Sequence, residues 1–244
     1  MGTATTGGGI VTIKEQIAAL DAALEGFPAE YAFVGGGVLA LLVTDPTAGA
    51  VRVTKDVDVL ASARTRREYL RLDGELERRG FRHDTAEGAP MCRWKWRDAT
   101  VDVLPIEKSV LGWESRWFAE ALAAAVPVSA GSRMVRTVTA PYFVALKLEA
   151  FDGRGEGDYL TSHDFEDVIC LFDGRPETVG EIMAAPEELR KALADHIRRD
   201  LAADDFETAV DGFVHPEPFA EERKARILGR FRAVAKQSED RSKR

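Results

Sequence analysis

Apolar positions recur along this chain with two different periods, and the switches between them mark out the elements. Ile13, Ile17, Leu20, Leu24 and Phe27 fall at helical spacing and predict an amphipathic first helix that stops between Gly26 and Pro28. Tyr31 to Val34 is a short apolar run that predicts a buried strand. Val38 to Leu42, after three glycines, predicts a helix packed on the sheet, and Asp45 to Gly49 reads as a loop. From Arg52 to Ala61 the period is two: Val57 and Val59 point one way, Asp56 and Asp58 the other. Thr65 to Arg79 returns to helical spacing through Tyr69, Leu72 and Leu76, with Gly80 as its C-terminal cap. Met91 to Arg97 and Thr100 to Leu104 predict two strands of an antiparallel hairpin, joined by a tight Asp98-Ala99 turn.

Beyond Trp113 the pattern is predominantly helical. Phe118 to Ala125 and Pro141 to Phe151 are the first clear segments, with Thr139 placed to cap the second. A polar, glycine-rich connection, Asp152 to Asp158, leads to a helix capped by Thr161 or Ser162 and running through Phe165, Val168, Ile169 and Leu171. Pro186 to Leu201 and Pro216 to Lys236 supply two more. The expected architecture is therefore α/β (α+β): a small mixed β-sheet core with helices over residues 10–110, then a mainly helical portion over 111–237 that completes the cleft. Residues 1–9 and 238–244 are expected to be disordered tails.

Composition adds limits. The chain has 244 residues, 45% of them hydrophobic, enough for a sizeable core. No apolar run reaches membrane-spanning length and the start lacks the plan of a signal peptide, so no membrane partner and a cytoplasmic location are expected. Cys92 and Cys170 lie far apart in apolar or aromatic company, as structural thiols do. The net charge of −8 argues against a nucleic-acid partner, but its distribution is uneven. Glu221 to Arg244 holds nine Lys/Arg against four Asp/Glu, a balance of +5, which leaves −13 on the rest. A second basic cluster (Arg64, Arg66, Arg67, Arg71, Arg78, Arg79, Arg82) follows the carboxylate strand, and Arg93, Lys95 and Arg97 alternate with Trp94 and Trp96. Such patches could track a phosphate backbone, although basic faces are more often simply solvated.

The chemistry centres on carboxylates. Asp56 and Asp58 emerge on one strand face, where two adjacent negative charges repel unless a divalent cation or a shared proton neutralises them; hard oxygen ligands suit Mg²⁺. Asp102 sits in a second Val-Asp-Val strand, Val101-Asp102-Val103, although Asp has low strand propensity. If the two strands are neighbours, the three acids form a cluster able to hold two Mg²⁺ ions and activate a hydroxyl.

The order strand, Gly-Gly, helix, strand with Asp-x-Asp, later strand with a third Asp resembles the nucleotidyltransferase fold of the DNA polymerase β superfamily. Within it, the chain is most similar to the AbiEii-type nucleotidyltransferase toxins, which include the MenT-type toxins of mycobacteria. Ala145-Leu146-Lys147-Leu148-Glu149-Ala150 and His163-Asp164-Phe165-Glu166-Asp167 match that family's lysine helix and its Asp-x-x-Asp helix start, so the resemblance spans about residues 30 to 172. It departs in the 18 residues between Gly37 and Asp56, longer than the family's usual connection, and in Thr54-Lys55 before the acids.

The resemblance implies roles. Gly36 and Gly37 form a phosphate-facing turn. Asp56 and Asp58 ligate Mg²⁺ on the triphosphate of an NTP such as ATP, with Asp102 as third metal ligand or general base. Lys147 contacts the triphosphate, and Asp164 or Asp167 orients it or the nucleotide. The acceptor hydroxyl is the 3′ end of tRNA, or another RNA, in a toxin with an antitoxin protein partner. Two other readings stay open: a small molecule or a protein hydroxyl (AMPylation) as acceptor, or a non-catalytic nucleotide-binding or antitoxin-like module. His163, beside Asp164, is a further general-base candidate, and Trp94 and Trp96 are expected in the core. A haloacid-dehalogenase-type phosphatase also begins with an Asp-x-Asp strand, but its downstream context is not evident.

Overall fold

The computed structural model describes residues 12–49, 51–52, 54, 56–111, 115–153, 157–214 and 219–236. Both expected disordered tails, Val53 and Lys55 at the start of the carboxylate strand, and Pro216 at the start of the last predicted helix lie outside them. Helix α1 (Ile13–Ala23) begins at a capping box in which Thr12 and Glu15 satisfy each other's backbone N–H groups. Strand β1 (Tyr31–Val34) leads through a 3₁₀ turn, Gly36–Val38, into the short helix α2 (Leu39–Leu42). Strand β2 (Asp56–Ala61) follows, then α3 (Arg66–Arg78), whose capping box pairs Thr65 with Glu68. The chain continues through β3 (Arg82–His83), β4 (Arg93–Trp96), β5 (Ala99–Pro105), α4 (Lys108–Leu111) and α5 (Phe118–Ala123).

A second hairpin, β6 (Val126–Ala130) and β7 (Arg133–Thr137), comes next, so the sheet takes two strands from a stretch expected to be mainly helical. Then follow α6 (Ala140–Gly153), α7 (His163–Gly174), α8 (Thr178–Ala184), α9 (Glu187–Leu201), α10 (Phe206–Val214) and α11 (Ala220–Ala235). The fold is mixed α/β. Its seven-stranded sheet has the order β3-β4-β5-β2-β1-β7-β6 among the described residues. Strands β2 and β5 run parallel at its centre, as do β1 and β7, and the remaining neighbours are antiparallel. Among the described residues no helix is long and apolar enough to cross a membrane.

Two differences from the sequence reading bear on the site. The carboxylate strand starts at Asp56, not Arg52: Thr54 Oγ1 accepts from the Asp56 N–H at 3.4 Å, and Arg52 and Thr54 belong to the connection before it. The first hairpin turns at Arg97-Asp98, not Asp98-Ala99, since Trp96 pairs with Ala99 and Arg97 takes φ +52. That shift of one residue places Arg93, rather than Lys95, opposite Asp102.

One continuous core joins the sheet to the helices. Val57, Val59, Val101 and Val103 are buried on the inner sheet face with Tyr69, Leu72 and Leu76 of α3, and the Tyr69 hydroxyl donates to the Val103 carbonyl at 2.8 Å. Trp94 and Trp96 are buried here too, and His83 lies against the Trp94 ring. The helical part is held by aromatic rings: Phe165 contacts Phe151, Tyr159 and Phe206, and Phe231 contacts Phe172 and Phe206. This cluster packs α6, α7, α10 and α11 into one body.

Candidate active site

Strand alternation and register build the floor of the site. Asp58 lies opposite Asp102 in the parallel β2–β5 pair, and Asp102 lies opposite Arg93 in the antiparallel β4–β5 pair, so these three side chains form a row across three strands. Asp56, two residues before Asp58, shares its face. The Arg93 guanidinium grips Asp102 with both arms, Nε to Oδ1 at 2.9 Å and Nη2 to Oδ2 at 2.7 Å, and Nη2 stands 3.8 Å from Asp56 Oδ2. The hydrogen bonds that Arg93 donates to Asp102, with the charges of Asp102 and Asp56 behind them, raise the pKa of Arg93 further above its already high value. Among the described residues no three His, Cys, Asp or Glu side chains form a ready metal cage. Asp102 already has a cationic partner.

The glycine turn closes over this row. Gly35 has φ +71 and ψ −168, a conformation almost reserved for glycine, and a Cβ there would lie 2.7 Å from the carboxyl carbon of Asp58. Gly36 lines the cleft, and a Cβ there would stand 3.1 Å from Asp167 Oδ2 and 3.8 Å from Lys147 Nζ. Gly37 is buried beneath the turn, 3.5 Å by the same measure from the Asp56 carbonyl and from Ile13, and does not line the cleft.

The opposite wall is an ion-paired cluster. Lys147 on α6 is 7% exposed and reaches Asp164 at 2.9 Å and Asp167 at 2.6 Å, both on the first turn and a half of α7. Both acids hold the lysine, because positions i and i+3 share a helix face. Burial alone would lower the Lys147 pKa, but Asp167 and then Asp164 outweigh it and hold the ammonium above its ordinary value. The α7 start is fixed by Ser162, whose hydroxyl accepts from the Phe165 N–H. His163 sits on the exposed rim, 3.1 Å from Glu166.

Between floor and wall lies a cleft of about 580 Å³, lined by Gly36, Asp56, Asp58, Asp102, Lys147 and Asp164 among others, a size that takes a small ligand. Three of its charged lining residues were not among the site residues expected from the sequence. Arg52 points into it with only long ion pairs, 3.6 Å to Asp167 and 3.9 Å to Glu166, and its buried Nε has no hydrogen-bond partner among the described residues. Arg93 is the second. Asp158 is the third, held by hydrogen bonds from the Thr161 hydroxyl and the Leu160 N–H that lower its pKa. The alternation of Arg93 with the two tryptophans was a signal for its face; Arg52 and Asp158 reach the cleft through loops, which carry no periodic signal.

No protein-family model matches the chain and no curated protein is a significant match, so the AbiEii and MenT resemblance stands on its sequence motifs alone. Similar solved structures include an antigenic nucleotidyltransferase-like protein from Paracoccidioides brasiliensis, 20% identical over 81% of this chain and 91% of that one, with a TM-score of 0.48. The antibiotic-resistance factor ANT(2'')-Ia is 20% identical over 78% of this chain and 97% of its own, with a TM-score of 0.43. JHP933 from Helicobacter pylori is 14% identical over 94% and 95%, with a TM-score of 0.47. Each of these three TM-scores lies below 0.5.

Proposed function

We propose that the chain is a nucleotidyltransferase, moving a nucleoside monophosphate from an NTP onto an acceptor hydroxyl. The observation that carries this is the facing of two walls across one cleft: a row of three carboxylates on the sheet, and a buried lysine held by two more acids on the helices. The donor set fits a divalent cation such as Mg²⁺, since the carboxylates of Asp56, Asp58 and Asp102 that line the cleft are hard oxygen ligands. Held by Asp56 and Asp58, that ion would neutralise phosphate charge and favour attack at phosphorus.

The chain's own groups do the rest. Lys147 and Arg52 supply positive charge for the triphosphate, Lys147 from a fixed position and Arg52 from a guanidinium that has acceptors to gain. Gly36 lets a phosphate approach the turn closely because it carries no side chain. The acceptor oxygen forms a bond to the α-phosphorus while the bond to pyrophosphate breaks. The acceptor proton passes to a carboxylate of the row; Asp102 keeps lone pairs beyond the two that Arg93 engages.

Two acceptor classes are each favoured by an observation. A small cationic molecule suits the cleft, where Asp56, Asp58, Asp102, Asp158 and Asp164 outnumber Arg52, Arg93 and Lys147. RNA, with the toxin role the resemblance implies and an antitoxin as partner, suits the exposed Arg66, Arg67 and Arg71 of α3. The C-terminal cations lend RNA less support than their number suggests: Arg223, Arg226 and Arg230 are engaged inside the fold, around Asp173.

Incubation with each labelled NTP, Mg²⁺ and either total tRNA or a panel of aminoglycosides and peptides tests the proposal. Label transfer by the wild type, abolished in Asp58→Asn, is expected. No transfer to any acceptor, or equal transfer by both proteins, refutes it.

A further inference from the structure

The pair Arg93–Asp102 bears on how many cations the carboxylate row takes. A two-ion arrangement on such a row would put positive charge at Asp56 and Asp58 and again toward Asp102, and the second of these positions already holds a guanidinium. Both Asp102 oxygens receive a charge-assisted hydrogen bond, and the same Nη2 lies 3.8 Å from Asp56, so Arg93 bridges the row from its end.

Arg93 is also held firmly in that position. Its backbone N–H donates to the Pro90 carbonyl and its own carbonyl accepts from Asp84, while the Val103 N–H donates to the Cys92 carbonyl. The next residue, Trp94, is fully buried, which pins the strand. Arginine suits this post better than lysine, because its planar fork matches a carboxylate and it does not lose its proton.

We propose that Arg93 takes the place of a second divalent cation at Asp102, so that the row binds a single divalent ion, on Asp56 and Asp58. A second such ion would have to displace a bidentate pair and leave the guanidinium partly buried beside two cations. The inference rests on reading the row as a divalent-ion site and not on turnover.

Mn²⁺ titration of the nucleotide-free protein, followed by the paramagnetic resonance of the free ion, counts strongly held ions per chain. The wild type should hold one, and Asp58→Asn none. Arg93→Met should hold two, and the double variant Arg93→Met/Asp102→Asn should return to one. Circular dichroism reports whether each variant folds; Arg93→Gln, which keeps a donor to Asp102 without the charge, serves if the methionine variant does not. A wild type that holds two ions or none, or a folded Arg93 variant that stays at one, overturns the proposal. One ion bound without any label transfer would instead refute the enzymatic reading and leave this one standing.

Discussion

Replacing Gly35 by alanine perturbs the point where the glycine turn meets the carboxylate row. Two costs arise together. The backbone at φ +71, ψ −168 lies in a region that residues with a Cβ avoid, a strain of about 1–3 kcal/mol. The new methyl group would also stand 2.7 Å from the Asp58 carboxyl carbon and nearer still to one of its oxygens, and forcing extra volume into a packed site costs about 1–3 kcal/mol more. Gly80→Ala separates the two, because Gly80 also has positive φ, +85, but a Cβ there meets nothing within 4 Å. Its cost is backbone strain alone, about 1–2 kcal/mol. Thermal melts of both variants should show Gly35→Ala lower by at least about 1 kcal/mol, which is about 2–4 °C for a chain of this size. The larger effect is functional: Asp58 must move to make room, and a 1 Å misplacement in an active site costs about 100-fold in rate. Label transfer and Mn²⁺ affinity should therefore collapse in Gly35→Ala and hold in Gly80→Ala. Matching melts and matching transfer rates for the two variants would refute the close approach of Gly35 to Asp58.

Three further outcomes follow from the buried charges and thiols. Lys147→Met takes from the buried Asp164 and Asp167 the ammonium that both contact and should lower stability by about 3–5 kcal/mol in a denaturant titration; because the folded-state pKa is raised, the wild-type contribution is intact below pH 10.5 and fades only as pH climbs through the raised value. Asp173→Ala strips the buried Arg223 of its carboxylate and should cost about 3–5 kcal/mol as well, with faster hydrogen exchange at the Gly49 amide, which donates to Asp173 Oδ2. Cys92 and Cys170 are both pushed up to about 12, chiefly by burial and next by Asp102 and Asp167 respectively, so neither should react with a disulfide reagent at pH 8 until the chain is unfolded, when two thiols appear; with folded values raised from 9.0, their contribution to stability is whole below pH 9 and is lost toward pH 12.

The parts of the structure that were legible in the sequence are those with strong local periodicity. Tyr31–Val34, the valine alternation at 57–59 and 101–103 and the helical spacing of Tyr69, Leu72 and Leu76 each gave an element of the right kind. The β6–β7 hairpin was not read, although Gly131-Ser132 is a turn signal. Pro127 interrupts its first strand and most of that strand is exposed, so the apolar alternation is weak. Helices α8 and α10 escaped because they are short and each contains a glycine. In the site, strand parity placed Asp56 and Asp58 on one face, but pairing required register. One residue of slip at the Arg97-Asp98 turn hid the partner of Asp102, and a left-handed arginine is not a residue that announces a turn. The choice between Asp164 and Asp167 could not be made from spacing because both pair with Lys147.

Helix α7 is anchored at both ends by charge. Asp164 and Asp167 hold Lys147 near its start, and nine residues after Asp164, roughly 13 Å along the axis, Asp173 is gripped by Arg223 and Arg226 of α11. The helix is thus a strut, loaded from the C-terminal segment and bearing on the cleft. A chain cut before Ala220, or one whose last helix is pulled aside by a bulky fusion, frees the far end of that strut without touching any cleft residue. Loss of activity after such a cut or displacement would therefore measure the strut and not the chemistry.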